Sequence, residues 1–252
     1  MTTKNFILYT TYCILLLSCH RDTQLTDSGY DYYIPISKEE LKQASADRLS
    51  TVIKSYRFIT LETSDWCLLT NIKKIVDYKD KIFILDQKNN TGVFVFDTIG
   101  KYLYTIGKKG IGPDEIINLK SFVINKENDT LILLDAEGKK MLFFSLDGAF
   151  LSCEKLKYVY SSIELVDNRH LAAVTIGTAS DYALQVLDLK GNITANLIKR
   201  TVYNDVERLK PFTGFDDHLF YSPSDNDTIY SVHKENYSVR TVIDYGFTPM
   251  PS

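Results

Sequence analysis

The sequence predicts an all-β chain of stacked four-stranded units, a β-propeller, and three observations carry that prediction. Short runs rich in β-branched and aromatic residues recur from residue 57 onward, divided by Asp, Asn and Gly. KIFILD (81–86), TLILLD (130–135), HLAAVT (170–175) and a more worn HLFYSP (218–223) are each followed by further short β-rich runs. Aligning Gly100, Gly148 and Gly191 gives separations of 48 and 43 residues, the length of one propeller blade. A single meander cannot bury both of its faces, so consecutive units must stack on one another. A sandwich of many short strands would leave three hairpins in register without a reason.

Taken in order, the chain opens with Lys4 and no acidic residue, then an apolar stretch from Phe6 to Leu17. Thr10 and Thr11 interrupt that stretch, and it falls short of the ~20 residues a spanning helix needs. A charged start, a short apolar core and a small residue before a cut make a secretory signal. Leu16-Leu17-Ser18-Cys19 resembles the lipobox of bacterial lipoproteins. That resemblance implies cleavage after Ser18 and lipidation of the Cys19 thiol. Residues 1–18 are then the expected signal peptide, 19–55 a tether with a short N-terminal element, and 56–252 the propeller. Cys19 is expected to anchor the chain to a membrane, each buried methylene adding about 0.8 kcal/mol. SKEELKQASADRLSTVI (37–53) reads as a brief helix with Ser37 as its cap and Glu40 at the third helical position.

The stretch from Phe58 to Glu115 resembles the six-bladed β-propeller lipoproteins of the Bacteroidota, distantly similar to NHL-repeat propellers. The likeness rests on LET (61–63), IFILD (82–86), VFVFD (93–97) and GKKGIGPDE (107–115), and extends over most of 56–245. It implies a six-bladed NHL-like fold and a place in the cell envelope, lipid-anchored at the outer membrane. Relatives of the wider class bind proteins, glycans or small ligands, and a few are enzymes. Six blades of about 43 residues need about 260, whereas the repeats here span about 190. The expectation is therefore an incomplete, shortened propeller of about four recognisable blades. YRFITLE (56–62) is the expected closing strand.

Candidate chemistry is sparse. GKKGIGP (107–113) lacks the G-x-x-x-x-G-K-[ST] order of a phosphate loop and runs into Pro-Asp-Glu, so it reads as an inter-blade turn. Asp86 and Asp135 end equivalent strands, and Asp97, Asp147 and Asp188 mark turns. Repetition argues that these carboxylates cap backbone turns, because catalysis needs only one convergent set. No calcium loop is present, and DNDT (225–228) is too short for one. His20, His170, His218 and His233 form no H-E-x-x-H or close His/Cys cluster, and no G-x-S-x-G elbow occurs. The reading thus assigns no catalytic residue, metal ligand or cofactor. Cys67 and Cys153 could bridge in an oxidising compartment, but neither has the neighbours of an activated nucleophile, and two buried free thiols are favoured.

The net charge of −3 gives no basic field for nucleic acid. Seventeen tyrosines suit strands and half-buried surfaces. The function expected is a membrane-tethered binding or scaffolding module for protein or glycan, held through its lipid. The alternatives are an envelope lyase or hydrolase with its site in the propeller channel, and a truncated member without function.

Overall fold

The computed structural model describes residues 30–37, 53–88, 92–200, 210–224 and 226–244. The expected signal peptide, Cys19 and the body of the expected helix lie outside these residues. The described residues form seventeen strands and no helix.

The strands assemble into four sheets, each built on an antiparallel meander of four successive strands, and one of them carries a fifth strand. Blade one holds β2 (Ile72–Tyr78), β3 (Lys81–Asp86), β4 (Val93–Asp97) and β5 (Tyr102–Ile106). Blade two holds β6 (Leu119–Asn125), β7 (Thr130–Asp135), β8 (Lys140–Ser145) and β9 (Phe150–Lys155). Blade three holds β10 (Tyr160–Asp167), β11 (His170–Thr175), β12 (Tyr182–Asp188) and β13 (Ile193–Lys199). Blade four holds β14 (Phe212–Phe215), β15 (His218–Tyr221), β16 (Thr228–Val232) and β17 (Tyr237–Asp244). The chain is a four-bladed propeller arrangement.

The apolar runs are continuous because each middle strand faces two neighbours. In β7, Leu131 and Leu133 enter a core shared with Phe83, Leu85 and Val95 of blade one. The alternate side chains, Ile132 and Leu134, enter a second core with Tyr160, Ile163, Leu171 and Leu187 of blade three. The period of two along a strand therefore delivers both sets. A third core joins Ala172, Leu184 and Val186 to Leu219, Tyr221 and Val232 of blade four. Among the described residues no buried cluster joins blade four back to blade one. The remaining face of blade one is covered by its own leader: Ile59, Leu61, Cys67 and Leu69 pack on Ile82, Ile84, Phe94 and Phe96.

One expectation changes here. Residues 56–62 belong to no strand and do not close the last blade; they lie along blade one, where the Glu62 amide donates to the Gly100 carbonyl at 2.8 Å. The strand that joins the last sheet is β1 (Tyr30–Pro35), paired in parallel with β17 from Tyr30 opposite Val239 to Pro35 opposite Asp244. The expected tether therefore contributes a fifth strand. Its Tyr32 and Ile34 alternate with polar or ring-bearing neighbours, a strand pattern set in an otherwise polar region.

The repeated turn chemistry follows the expected positions with one shift. Asp97 accepts the amides of Ile99 and Lys101 at 3.0 and 2.8 Å, and Asp188 those of Lys190 and Asn192 at 2.9 Å each. In blade two the equivalent residue is Ser145, whose hydroxyl accepts the Ala149 amide at 3.1 Å. Asp147 lies two residues later, and its exposed carboxylate pairs with Lys81 of blade one at 2.8 Å. Gly100, Gly148 and Gly191 take φ of 90°, 90° and 80° in these turns, the left-handed region that a side chain disfavours.

Candidate functional site: the central cleft

The innermost strands of all four blades, β2, β6, β10 and β14, line one cleft. The side chains that line it mix lysines, serines and carboxylates with apolar groups such as Ile75 and Phe212. Lys74 on β2 forms an ion pair with Glu164 on β10 at 2.7 Å, linking blade one to blade three. Its ammonium also lies 5.4 Å from the centre of the Phe122 ring on β6. Both side chains of the pair are less than one-third exposed, which limits the water that would screen them.

The pair borders two cavities. The smaller, of about 200 Å³, is lined by Lys73, Lys74 and Ile75 of β2, Lys120 and Ser121 of β6, and Ser162 and Glu164 of β10. Lys210, Pro211 and Phe212 enter it from blade four, and Leu85 contributes from β3. The larger, of about 640 Å³, is also lined by Lys74 and Glu164 but has a different character. Asp167, Asp216, Asp217 and His218 meet Lys126, Val123 and Leu165 there. Asp216 and Asp217 occupy left-handed backbone, with φ of 45° and 61°. One cavity is thus dominated by lysine and the other by aspartate.

A local irregularity aims the lysines. The register of three of the four inner strands slips by one residue at the same place, between Ile72 and Lys74, Leu119 and Ser121, and Tyr160 and Ser162, whereas β14 pairs without a slip. The extra residues are Lys73, Lys120 and Ser161. A bulge of this kind bends the strand and redirects a side chain. Lys73 and Lys120 both reach the smaller cavity, while Ser161 is buried.

The residues singled out by sequence mostly serve architecture. Asp86 is fully buried and accepts the amides of Thr70 and Asn71 at 2.6 Å each and of Lys88 at 2.9 Å. Asp135 does the same with Ile117, Asn118 and Gly138, at 3.0, 2.9 and 3.1 Å. Each latches the start of an inner strand to the end of its neighbour. The backbone repeats the join in all four blades: Gln87, Ala136, Ile176 and Ser222 donate to Asn71, Asn118, Val159 and Pro211.

The 107–113 loop is closed on itself, as expected for a turn. Gly110 donates to the Ile116 carbonyl at 3.0 Å, and Gly112 to the Glu115 carboxylate at 2.9 Å. Lys108 pairs with Asp114 at 3.1 Å, which holds that carboxyl below its ordinary range. The Gly112 amide does the same for Glu115.

His170 sits 2.9 Å from the Asp167 carboxylate. Burial acts to raise the Asp167 carboxyl, but the Arg169 amide and the His170 ring outweigh it, and the net shift is downward. His218 begins β15, His233 follows β16, and His20 lies outside the described residues. Among the described residues, no three His, Cys, Asp or Glu side chains gather as a metal site. Cys67 and Cys153 are free thiols, the first buried and the second half-buried, and burial pushes the Cys153 thiol up.

Sequence reasoning missed Lys73, Lys74, Lys120, Glu164 and Lys210. The available signal was the Lys-Lys pair inside the strand-like run IKKIVDY, placed like the single lysine of NLKSFVIN.

A propeller with a polar cleft walled by its inner strands is the class that this fold and site define. The chain belongs to the family described as Domain of unknown function (DUF4934), whose model matches residues 32–252. Its fold is similar to that of a Bacteroides fragilis protein assigned as exported, with a TM-score of 0.75 and 22% identity. That similarity covers 87% of this chain, which spans 62% of the other's length. A virginiamycin B lyase of Staphylococcus aureus is more distant, with 14% identity and a TM-score of 0.49 over 72% of this chain and 57% of that one. No curated protein matches the chain.

Proposed function

We propose that this chain is the binding module of an exported, lipid-anchored envelope protein, and that its ligand enters the central cleft. The observation that carries the reading is convergence: four blades each send an inner strand to one space, and side chains from all four line it. Polar groups gathered in a preformed concavity are the usual makings of a ligand site. The lipobox-like Leu16-Leu17-Ser18-Cys19 supports the anchor, and the likeness to an exported Bacteroides protein agrees with an envelope location. Outer-membrane attachment and a six-bladed ring in the whole protein belong to the same proposal.

Two measurements on the full chain, extracted in detergent, test this. Intact mass is expected to reveal a chain starting at Cys19 with an acyl increment; an unmodified start would remove the anchor. An array of neutral and acidic envelope glycans is expected to retain the chain and to lose it with Ser162→Trp, which fills the smaller cavity. Binding that survives Ser162→Trp, in a variant with unchanged circular dichroism, would move the site away from that cavity. Retention by immobilised envelope protein alone would replace the glycan with a protein ligand.

A further inference from the structure

We propose that blade three carries a second binding pocket, separate from the cleft, which takes an uncharged peptide segment of a partner protein by its main-chain carbonyl groups. The pocket holds about 330 Å³ and shares no lining residue with either cleft cavity. Tyr158, from the connection between blades two and three, and Tyr182 of β12 line it together with Gln185 of β12 and Asn196 of β13.

The first observation is a polar chain at positions that are apolar in the other blades. The Tyr160 hydroxyl donates to Gln185 Oε1 at 2.8 Å, and Gln185 Nε2 donates to Asn196 Oδ1 at 2.6 Å. Tyr160 and Gln185 are both buried, the latter only 2% exposed. The blades align on the matching strand ends Asp86, Asp135, Thr175 and Tyr221. In that alignment Gln185 stands where blades one, two and four have Phe94, Leu142 and Val232, all buried. Tyr160 likewise stands where they have Ile72, Leu119 and Phe212. A buried amide and hydroxyl cost desolvation that a hydrocarbon pair avoids, and three sister blades fold without them. The repeat therefore does not explain the chain.

The backbone departs from the repeat at the same point. Pairing passes from Leu184 with Ile198 to Gln185 with Asn196, so Leu197 is an extra residue. The corresponding steps to Phe94, Leu142 and Val232 run without a slip. This bulge, found in blade three alone among the four, sets Asn196 opposite Gln185. The connections differ as well. Residues 107–118 lead into blade two and bury Ile116 in the core that holds Leu142. Only residues 156–159 lead into blade three, and Lys157 there is exposed. The shorter connection leaves room beside Gln185.

The direction of the hydrogen bonds selects the ligand. Burial pushes the Tyr160 phenol up, which keeps it a donor. The chain ends at exposed Asn196, whose oxygen accepts within the chain and whose NH2 group faces the ligand as a donor. A peptide carbonyl answers such a donor without bringing a hydrogen of its own, whereas every sugar hydroxyl does. The half-buried Tyr158 and Tyr182 offer ring surface to a flanking side chain. Tyr, Ser and Asn are the residues in which protein-binding loops are enriched, and Ser180 completes that set here. One lysine, Lys157, is matched by one carboxylate, Asp181, which favours an uncharged segment.

Saturation-transfer NMR on the full chain in detergent tests the proposal, with a library of blocked, uncharged tripeptides and methyl β-galactoside as probes. Tripeptides are expected to bind, with little dependence on salt, and the galactoside at least tenfold more weakly. Tyr160→Phe with Gln185→Leu removes both buried partners at once, which leaves stability nearly unchanged. It is expected to keep the thermal midpoint and to weaken tripeptide binding about tenfold, as is Asn196→Ala at the exposed end of the chain. Ser162→Trp is expected to leave tripeptide binding intact, which separates this pocket from the cleft. Tripeptide binding unchanged in the double variant and in Asn196→Ala would overturn the site. A lowered midpoint in the double variant, with full binding by Asn196→Ala, would reduce the polar chain to a structural part. Galactoside binding as tight as that of any tripeptide, and lost in the same variants, would replace the peptide with a sugar. Failure of every tripeptide to bind would overturn the proposal and leave the cleft reading untouched.

Discussion

Blades two and four have the same four-strand plan and opposite interiors. In blade two every residue of β7 is buried, and β6 and β8 have one residue each that is not. In blade four, β14 and β15 have four residues each, and β14 has none buried. Blade two has a sheet against each face, whereas among the described residues blade four shares a core only with blade three. Blade two is locked by Asp135 with three backbone amides; the matching end of β15 in blade four is Tyr221, which has no carboxylate, and the backbone bond from Ser222 to Pro211 is repeated there. The difference teaches that a blade's solidity comes from its neighbours and its latch, more than from the meander itself.

The largest effect is expected where that latch is removed. Asp135→Ala leaves three amides without their carboxylate in a buried site, and is expected to cost about 3 kcal/mol or more in urea unfolding. Thr175→Val, at the matching position of blade three, removes one hydroxyl that donates to the Tyr182 carbonyl and accepts from Arg200. It is expected to cost about 1 kcal/mol. Equal losses would break the claim that the carboxylate latch distinguishes the blades.

The turn glycines sharpen the comparison. A side chain at Gly100 would meet the Thr60 carbonyl oxygen at 2.2 Å, and one at Gly191 the Lys155 carbonyl oxygen at 2.6 Å. At Gly148 the nearest atom is an Ile106 side-chain carbon at 3.6 Å. All three sites carry the left-handed penalty, about 1 kcal/mol for alanine. Gly148→Ala is therefore expected to lower stability by about that amount, and Gly100→Ala and Gly191→Ala by more. Thermal melts of the three variants rank them directly.

A smaller effect concerns the join between blades one and two. Asp147 and then Tyr104 hold the Lys81 ammonium above its ordinary value. A raised folded value means that the stabilisation is fully present below the unfolded value, about 10.4, and is lost as pH rises through the folded one. Stability measured from pH 9 to 12 is expected to fall more steeply in the natural protein than in Asp147→Asn. Parallel curves would remove this contact from the account.

Much of the fold was legible because the middle strands read as unbroken apolar runs. KIFILD and TLILLD are buried on both faces, and Gly100, Gly148 and Gly191 each sit where the chain must take positive φ. The inner strands were harder to see. IKKIVDY carries two lysines toward the cleft, and FTGF is four residues long, so neither has the hydrophobic signature of a core strand. The cleft escaped for the same reason: Lys73, Lys120 and Glu164 come from different blades, and only the folded stack places them together. The N-terminal strand was misplaced because YDYYIP lies within polar sequence, while YRFITLE has the stronger β pattern yet serves as a cover for blade one.

The central claim is that the inner strands of separate blades face one cleft, and zero-length carbodiimide coupling tests it most directly. Lys74 and Glu164, 2.7 Å apart, bridge blades one and three, while Lys81 and Asp147, 2.8 Å apart, bridge the adjoining blades one and two. Peptide mapping by mass spectrometry is expected to recover both isopeptide links in the monomer. Recovery of Lys81–Asp147 without Lys74–Glu164, with Lys74 still open to acylation, would contradict the shared cleft.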